Sequence, residues 1–212
     1  MNMRQYAIVP LAAAALFMLA SCTKDPIKNL NADENRLYIT NRDSSTNFAS
    51  FKTFSIADSV AIISNDGGHR KTRDAFDTAF IAAFTNAMVQ RGFTLVQKDQ
   101  NPDLGINVNN IINTYNGYID YGSYYDSYYG YWDPYYWGYP GLGYYGSYIG
   151  TYQVNEGLIS VDMFNLKDAA ANGKIKAVWN GVIRGTGNDN IANIGSNVKA
   201  LFDQSPYIKV TQ

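Results

Sequence analysis

From residue 36 onward, the chain contains short runs in which apolar and polar positions alternate, separated by polar or glycine-containing turns. Alternation with a period of two is typical of strands that bury one face. The pattern predicts six strands, which lie at residues 37–40, 51–56, 93–96, 104–108, 158–164 and 177–183. In the fifth strand, Ser160 and Asp162 share a face with Leu158 and Phe164, and we expect Asp162 to point outward.

One long segment between the second and third strands has the helical period instead. Phe76, Phe80, Phe84 and Met88 are spaced four apart, which predicts a helix over about residues 71–91 with one apolar stripe. Acidic residues in its first turns suit the positive end of the helix dipole, and the glycine that follows is a common helix terminator.

A second helical pattern lies near the C-terminus and ends before Pro206, and either Asn188 or Asp189 can cap it. Its apolar stripe consists of Ile191, Ile194, Val198, Leu201 and Phe202. The order of elements is therefore β-β-α-β-β-β-β-α. Because most strands are joined by turns, we predict a single α+β domain over residues 36–208. It would contain an antiparallel sheet of about six strands with the two helices on one face.

The first 35 residues have a different pattern, which predicts an export signal. Arg4 precedes an apolar run over residues 6–20 that is too short for a comfortable membrane-spanning helix. The run leads into Leu19-Ala20-Ser21-Cys22. This sequence resembles the lipobox of bacterial lipoproteins, in which small residues precede a cysteine that is lipidated before cleavage. We predict a signal peptide over residues 1–21, lipidation of Cys22 and a flexible, lipidated tether over residues 22–35.

Lipid on Cys22 would make the membrane the first partner of the protein, because several acyl chains hold a protein stably on a bilayer. Thr23 follows the cysteine where an aspartate would indicate retention at the inner membrane. We therefore predict a lipid-anchored protein of the cell envelope, at the outer membrane, on its periplasmic side or at the surface. The alternative is an ordinary secretory signal with an accidental cysteine.

Composition excludes several classes of function. The 212-residue chain has a net charge of −1, so it lacks the excess of Lys and Arg by which proteins hold nucleic acid. One cysteine and one histidine, His69, cannot form an internal disulfide or a Cys/His metal cluster. We predict no nucleic-acid partner, no metal and no cofactor.

Residues 115–152 form a tyrosine- and glycine-rich tract, which we expect to be a long loop that interrupts the domain. The tract contains 15 of the 18 tyrosines and 8 of the 18 glycines. So many aromatic side chains exceed the apolar area that a free surface tolerates, and some must pack on the domain, on each other or on a partner. The candidate binding residues are Tyr124, Tyr125, Tyr128, Tyr129, Tyr131, Trp132, Tyr135, Tyr136 and Trp137.

Four interpretations of the tract remain open. It is a low-complexity insertion that extends one hairpin, or a contact surface for an envelope protein. The third interpretation is a surface for peptidoglycan or another glycan, whose sugar faces stack on aromatic rings. The fourth is a segment that enters the membrane interface. Single-stranded nucleic acid also stacks on aromatic rings, but it needs a positive groove, and the charges of the tract are aspartates.

We find no catalytic motif in the sequence. His69 lies in a glycine-containing turn without a nucleophile motif, which favours a solvated histidine over a general base. The basic cluster at residues 70–73 is interpreted as a solvated turn, with contact to an anionic head group as the alternative.

Four short motifs carry a family resemblance. In chain order they are Phe48-x-x-Phe51-Lys52-Thr53-Phe54, Arg91-Gly92-Phe93 followed by Asn101-Pro102-Asp103-Leu104, Gly157-Leu158-Ile159-Ser160-Val161-Asp162, and Val178-Trp179-Asn180-Gly181. In this order and spacing they resemble the bacterial lipoprotein family called domain of unknown function 4136, although Ser55 and Asn180 depart from residues common there. The resemblance covers roughly residues 36–208 and implies the fold and an envelope location. The family has no established chemistry, so no catalytic residue is transferred.

These observations favour a non-enzymatic cell-envelope lipoprotein as the function. Its α+β domain would be tethered to the membrane and would present the aromatic tract to an envelope protein or to a cell-wall polymer. The alternative function is a hydrolase that acts on envelope glycans through carboxylates such as Glu156 and Asp162.

Overall fold

The structure is a computed structural model that describes residues 35–64, 70–112, 117–120, 134–146, 151–154, 157–185 and 187–210. From Arg36 onward, the described residues belong to one compact unit. The predicted signal peptide and Cys22 lie outside the described residues. The compact unit contains all the helices and strands that follow.

Ten strands and three α-helices are present in the described part of the chain. The strands are β1 Leu37–Arg42, β2 Thr53–Ser64, β3 Arg70–Thr72, β4 Thr94–Leu95, β5 Leu104–Ile112, β6 Gly117–Asp120, β7 Gly143–Gly146, β8 Thr151–Val154, β9 Leu158–Asn165 and β10 Lys174–Arg184. The helices are α1 Ala75–Gln90, α2 Ala169–Asn172 and α3 Ile194–Asp203. Short 3-10 turns lie at Phe48–Ser50, Pro134–Trp137 and Ile191–Asn193.

Eight strands form one open sheet in the order β1-β10-β9-β5-β2-β3, with β4 paired to β2 and β7 paired to β10. The strands β6 and β8 form a separate antiparallel ribbon. The predicted mixed α+β class is confirmed. The prediction of an antiparallel sheet of about six strands was wrong in detail, because the sheet has eight strands and because β2–β5, β2–β4 and β7–β10 are parallel pairs.

The parallel pairing of β2 and β5 follows from the connection between them. This connection contains α1, and a crossover through a helix brings the chain back to begin the next strand in the same direction. The third predicted strand, at residues 93–96, forms only the two-residue strand β4 at the edge of the sheet. Because β4 pairs in parallel with β2, it does not reverse the chain direction between β2 and β5.

The two longer helices, α1 and α3, pack on one face of the sheet, as the sequence predicts. The rings of Phe84 and Phe202 lie 5.0 Å apart, and the ring of Trp179 on β10 lies 6.2 Å from Phe84. Trp179 Nε1 donates a hydrogen bond of 2.9 Å to Ser205 Oγ, and its side chain is fully buried. The segment after α3 is thereby tied to the sheet as well as to the helices.

The boundaries of α1 show how local pairing changes a predicted helix. The helix begins at Ala75, later than expected, because residues 70–72 pair with β2 as β3. Asp74 and Asp77 form a capping box, in which each carboxylate accepts a hydrogen bond from the backbone N–H of the other residue. The helix ends before Gly92, whose φ of +91° favours glycine, in agreement with the expected end.

The start of the last helix differs from the prediction. Neither Asn188 nor Asp189 caps it, since the side chain of Asn190 caps the 3-10 turn Ile191–Asn193 that leads into α3. Asn188 instead donates a hydrogen bond of 2.8 Å to the carbonyl oxygen of Gly157. Its side chain therefore links this turn to the start of β9.

The second face of the sheet is also buried, by a segment of the tyrosine- and glycine-rich tract. We call residues 134–146 the aromatic strap. The apolar cluster beneath and within it consists of Ala57, Ala61, Ile63, Ile111, Trp137, Leu158, Phe164, Leu166, Ala169, Ile175, Ala177 and Val182. Among the helices that the structure describes, none is long and apolar enough to cross a lipid bilayer.

Candidate functional site

The aromatic strap is anchored on the second face of the sheet by a close contact at a glycine. Trp137 is only 3 % exposed. A methyl group placed at Gly105 would lie 3.1 Å from Trp137 Cε2 and 2.9 Å from Leu166 Cδ1, so the ring approaches this strand more closely than a larger residue allows. Tyr139 Oη donates a hydrogen bond of 2.9 Å to the carbonyl oxygen of Leu166. Burial raises the pKa of the Tyr139 phenol, which favours the neutral donor.

The end of the strap is part of the sheet itself. Its last four residues form β7, which pairs in parallel with β10 beside the end of β1. The ring of Tyr144 lies 4.9 Å from the ring of Phe164 on the second face. The described part of the tract therefore contains strands as well as loop segments.

Three of the nine aromatic residues predicted to bind a partner are described, and they occupy three different environments. Tyr135 is 72 % exposed, Tyr136 is half-buried, and Trp137 is buried in the second-face cluster. The other six, Tyr124, Tyr125, Tyr128, Tyr129, Tyr131 and Trp132, lie outside the described residues. Of the three, Tyr135 alone presents most of its side chain to solvent.

A row of polar side chains crosses the second face beside the apolar cluster. Asn41 lies opposite Asn180, Asn180 opposite Asp162, and Asp162 opposite Asn107, so the row spans β1, β10, β9 and β5. Asp162 is 1 % exposed, and the prediction that it points outward was wrong. The alternation along the strand was correct, but the face that it assigned to solvent is covered.

The centre of this polar row is a carboxylate held by two amides. Asp162 Oδ1 accepts a hydrogen bond of 2.7 Å from Asn180 Nδ2, and Oδ2 accepts one of 2.9 Å from Asn109 Nδ2. Asn109 Nδ2 also lies 3.4 Å from Ser160 Oγ. Buried polar groups require such partners, because an unmade hydrogen bond in a protein interior is costly.

The asparagines of this row are functional candidates that the sequence analysis missed. Asn107 and Asn109 alternate with Ile106 and Val108 in β5, and asparagine is uncommon in strands. Two asparagines at alternate positions of an apolar strand are therefore a usable signal for a buried polar face. Asn107 Oδ1 and Trp137 Nε1 are buried polar atoms without a hydrogen-bond partner among the described residues.

A cationic and aromatic surface lies where the strap meets the β3 edge of the sheet. Lys98 Nζ lies 4.1 Å and Lys71 Nζ lies 5.6 Å from the centroid of the Tyr136 ring. Burial raises the pKa of the Tyr136 phenol, and the nearby Asp58 carboxylate adds to the shift, while a hydrogen bond with the Asp58 backbone opposes it. Arg73 Nη1 lies 3.7 Å from Asp58 Oδ2. Part of the predicted basic cluster thus takes part in an organised surface.

A groove of about 490 Å³ separates α1 and α3 on the opposite face of the sheet. Its floor includes Phe202, whose ring lies 4.6 Å from the guanidinium carbon of Arg91. Arg91 Nη2 donates a hydrogen bond of 3.1 Å to the Phe202 carbonyl oxygen, so the cation is used to join the ends of the two helices. Burial lowers the pKa of Arg91, and Asp203 opposes this shift.

The residues considered for catalysis or metal binding are only partly described. His69 and Glu156 lie outside the described residues, so their distances from Asp162 are not defined. The described ranges contain no group of three or more His, Cys, Asp or Glu side chains that would hold a metal ion. The Asp162 carboxylate accepts hydrogen bonds from two neutral amides.

The domain is of the α+β class. It has an open, mostly antiparallel sheet, its two longer helices lie on one face, and a long aromatic insertion separates β5 from β9. The sequence model of the family described as Domain of unknown function (DUF4136) matches residues 39–207, and the chain belongs to this family. The family assignment based on the four motifs is therefore confirmed.

A solved structure of this family has the same fold. The crystal structure of a DUF4136 family protein from Bacteroides thetaiotaomicron VPI-5482 is 30 % identical, with a TM-score of 0.67 over 82 % of this chain and 98 % of that chain. A PDZ domain protein from Parabacteroides distasonis ATCC 8503 is 16 % identical, with a TM-score of 0.43 over 82 % of this chain and 37 % of that chain. No curated protein matches the chain.

Proposed function

We propose that the protein is a non-enzymatic lipoprotein of the cell envelope, which presents its aromatic tract to an envelope protein or a cell-wall polymer. The observation that carries the proposal is the anchoring of the aromatic strap on the sheet. Trp137 is buried against Gly105, and β7 pairs with β10. A binding segment joined to a strap that is fixed on the sheet loses less conformational freedom on binding than a loop without such an anchor does.

The position of Tyr135 supports a binding role for the neighbouring sequence. Its side chain is exposed, while the next two residues, Tyr136 and Trp137, are half-buried and buried. Residues 121–133, which contain six of the candidate aromatics, connect directly to this point. Tyrosine and tryptophan side chains give large contact areas at low entropic cost, which is why they are common in binding loops.

The proposed location depends on acylation of Cys22. The support is the sequence pattern of a basic start, an apolar run and small residues before the chain's one cysteine. Mass spectrometry of the N-terminal peptide from native membranes tests this directly. We expect an acylated Cys22 at the new N-terminus, and Cys22→Ser should release the protein from the membrane fraction. An unmodified thiol or an uncleaved leader would contradict the anchor.

No observation on the described residues favours the hydrolase alternative, and Glu156 lies outside them. Both oxygens of the Asp162 carboxylate accept hydrogen bonds from asparagine amides, and the side chain is almost fully buried. A glycosidase needs two carboxyl groups that both reach the scissile bond from a substrate cleft. The geometry of Asp162 is that of a group which joins strands.

The binding role is tested by replacing residues 121–133 with a glycine–serine linker of equal length, which leaves the strap in place. We expect the full chain to lose its cross-links to envelope components in intact cells, with its thermal unfolding little changed. A Tyr207→Phe variant, altered away from the tract, serves as the control for altered tyrosine content. Cross-linking that is the same with and without residues 121–133 would remove the proposal.

A further inference from the structure

Two buried polar atoms on the second face of the sheet lie near Gly105 and do not bond to each other. They are Nε1 of Trp137, which can only donate a hydrogen bond, and Oδ1 of Asn107, which can only accept one. Trp137 is 3 % exposed and Asn107 is 1 % exposed, and neither atom has a hydrogen-bond partner among the described residues. A donor and an acceptor that are both withdrawn from solvent each cost stability unless a further group pairs with them.

The close contact at Gly105 places the indole nitrogen. Trp137 Cε2, the ring carbon bonded to Nε1, lies 3.1 Å from a methyl group built at Gly105. Asn107 follows two positions later in β5, and its side chain points to the same face, because Ile106 and Val108 pack in the cluster beneath the helices. Positions two apart in a strand lie about 7 Å from each other. The two polar atoms therefore border the same small region between the sheet and the strap.

A hydroxyl group from the neighbouring strand borders this region as well. Ser55 on β2 lies directly opposite Gly105 on β5. Its side chain points away from the helices, because Phe54 and Ile56 on either side pack in the cluster beneath them, and it is 5 % exposed. Parallel strands lie about 4.8 Å apart, and a hydroxyl can either donate or accept a hydrogen bond. The region therefore has one donor, one acceptor and one group that serves as either.

We propose that Trp137 Nε1, Asn107 Oδ1 and Ser55 Oγ bind one buried water molecule, which joins the strap to the sheet. The water accepts a hydrogen bond from the indole and donates one to the amide oxygen and one to the hydroxyl oxygen. Buried waters make about three hydrogen bonds, and two bonds of about 2.9 Å let one water join atoms up to roughly 6 Å apart. This site concerns the attachment of the strap and does not depend on what residues 121–133 bind.

The groups around the site favour water over other ligands. Leu166 Cδ1 lies 2.9 Å from a methyl group built at Gly105, so side chains already fill the space above this glycine and leave no room for a larger molecule there. An indole N–H cannot ligate a cation, and an amide carbonyl oxygen does not attract an anion. Water is small, neutral and able to donate and accept at once, as this set of partners requires.

The test is the transfer of magnetisation from water to the indole N–H groups of the nitrogen-labelled full chain in detergent micelles. A rotating-frame Overhauser experiment separates a bound water from direct exchange of the indole proton by the sign of the cross-peak. We expect a bound-water cross-peak at the Trp137 indole, whose signal is identified by its loss in Trp137→Phe. Trp179 is the matched control, because its Nε1 donates directly to Ser205 Oγ at 2.9 Å and should show no such peak. This control also reports any transfer that is relayed through a serine hydroxyl.

Two substitutions test the other partners of the water. Asn107→Leu keeps the approximate size of the side chain and removes the acceptor, whereas Ser55→Ala removes the hydroxyl group. We expect the water cross-peak of Trp137 to be lost in Asn107→Leu and weakened in Ser55→Ala. Ser196→Ala, which removes an exposed hydroxyl of α3, is the matched control and should leave the cross-peak unchanged. An unaltered Trp179 signal in each variant shows that the fold is retained.

The measurement on the parent protein decides the proposal even if a variant fails to fold. The absence of a water cross-peak at Trp137 would indicate a dry contact or a direct bond to Asn107, and would overturn the site. Equal cross-peaks at Trp137 and Trp179 would assign the signal to hydroxyl relay and would contradict the site as well. A Trp137 cross-peak that stays at full intensity in a folded Asn107→Leu protein would show that this amide does not bind the water, and the site as assigned would be wrong.

Discussion

Asp162 on β9 accepts a hydrogen bond of 2.7 Å from the side-chain amide of Asn180 on β10, and both side chains are buried. The second carboxylate oxygen accepts a hydrogen bond of 2.9 Å from Asn109 on β5. One side chain thus joins three adjacent strands, next to the apolar cluster of the same face. Because an alternative pairing would leave these polar groups unsatisfied, the cluster favours one register for the centre of the sheet.

The first prediction concerns the exchange Asp162→Asn, which keeps the shape of the side chain. The new amide would turn its NH2 group toward either Asn180 or Asn109, so that one of the two hydrogen bonds to the carboxylate is lost. We expect a loss of about 1–3 kcal/mol in the free energy of unfolding, measured by urea denaturation. Asp189→Asn, at an exposed position, is the matched control and should change stability little. Equal denaturation midpoints for the two variants would show that the cluster contributes nothing.

The environment of Asp162 shows where prediction from sequence succeeded and where it stopped. Alternation correctly separated Ser160 and Asp162 from Ile159, Val161 and Met163, which pack toward the helices. It failed to indicate that the polar side is buried. Residues 134–146 pack on the apolar part of this face, and the composition of the tract predicts that some of its rings pack without indicating which. Cover by such a segment depends on tertiary contacts that no local pattern contains.

The second prediction concerns Gly181, the last residue of the family motif Val178-Trp179-Asn180-Gly181. A methyl group at Gly181 would overlap the Trp179 ring, with Cζ2 at 2.9 Å, and that ring is fully buried between β10 and the helices. We expect Gly181→Ala to lower the free energy of unfolding by about 1–3 kcal/mol, because the tryptophan must leave its rotamer or the strand must shift. Near-ultraviolet circular dichroism of the native protein should change as well.

The control for this substitution is Gly195→Ala in α3. Among the described residues, no atom lies within 4 Å of a methyl group at Gly195, and alanine is the better helix former. This variant should therefore gain about 0.5–1 kcal/mol. A Gly181→Ala protein as stable as the parent would mean that the space left by this glycine is not needed for the Trp179 ring.

The helices were the most predictable elements, because their apolar stripes and end signals are local. Phe80, Phe84 and Met88 are all buried at the spacing expected, and α1 ends where Gly92 predicts. The pairing of the strands was less predictable. The sequence contains a strong second strand and a strong fourth strand, but their parallel pairing depends on the path of the connection between them.

A third prediction tests whether the strap is an integral layer of the domain. Gly105→Ala would place a methyl group 3.1 Å from Trp137 Cε2, so the indole must move away from the sheet. We expect faster hydrogen exchange at the backbone amides of Gly138 and Tyr139, which donate within the turn of the strap. Gly157→Ala is the matched control, because a methyl group there meets only a carbonyl oxygen at 3.9 Å. Unaltered exchange in the strap of the Gly105 variant would indicate that Trp137 does not hold it.

The lysines beside Tyr136 illustrate why this cationic and aromatic surface was only half visible in the sequence. The basic cluster that contains Lys71 stands out as a run of charges, whereas Lys98 lies in a polar turn. The two lysines approach the same ring because β3 and β4 both pair with β2 and the strap brings Tyr136 near both. Residues from three separate segments form such a surface only after the sheet is assembled.

The last prediction concerns acid stability and the carboxylate of Asp43, which follows β1 and is ion-paired with Lys176 of β10. Desolvation alone would raise its pKa, but hydrogen bonds from Lys176, Thr46 and Ser45 lower the pKa from 3.8 to about 2. A carboxyl group whose pKa is depressed by folding stabilises the native state above its unfolded pKa. This contribution, about 2 kcal/mol at neutral pH, is lost as the pH falls from about 4 toward about 2.

Asp43→Asn should therefore be less stable than the parent near neutrality and should approach it in acid. Urea denaturation of both proteins, at steps from about pH 6 to about pH 2.5, measures the difference. A gap that stays constant over that range would show that titration of Asp43 is not linked to folding.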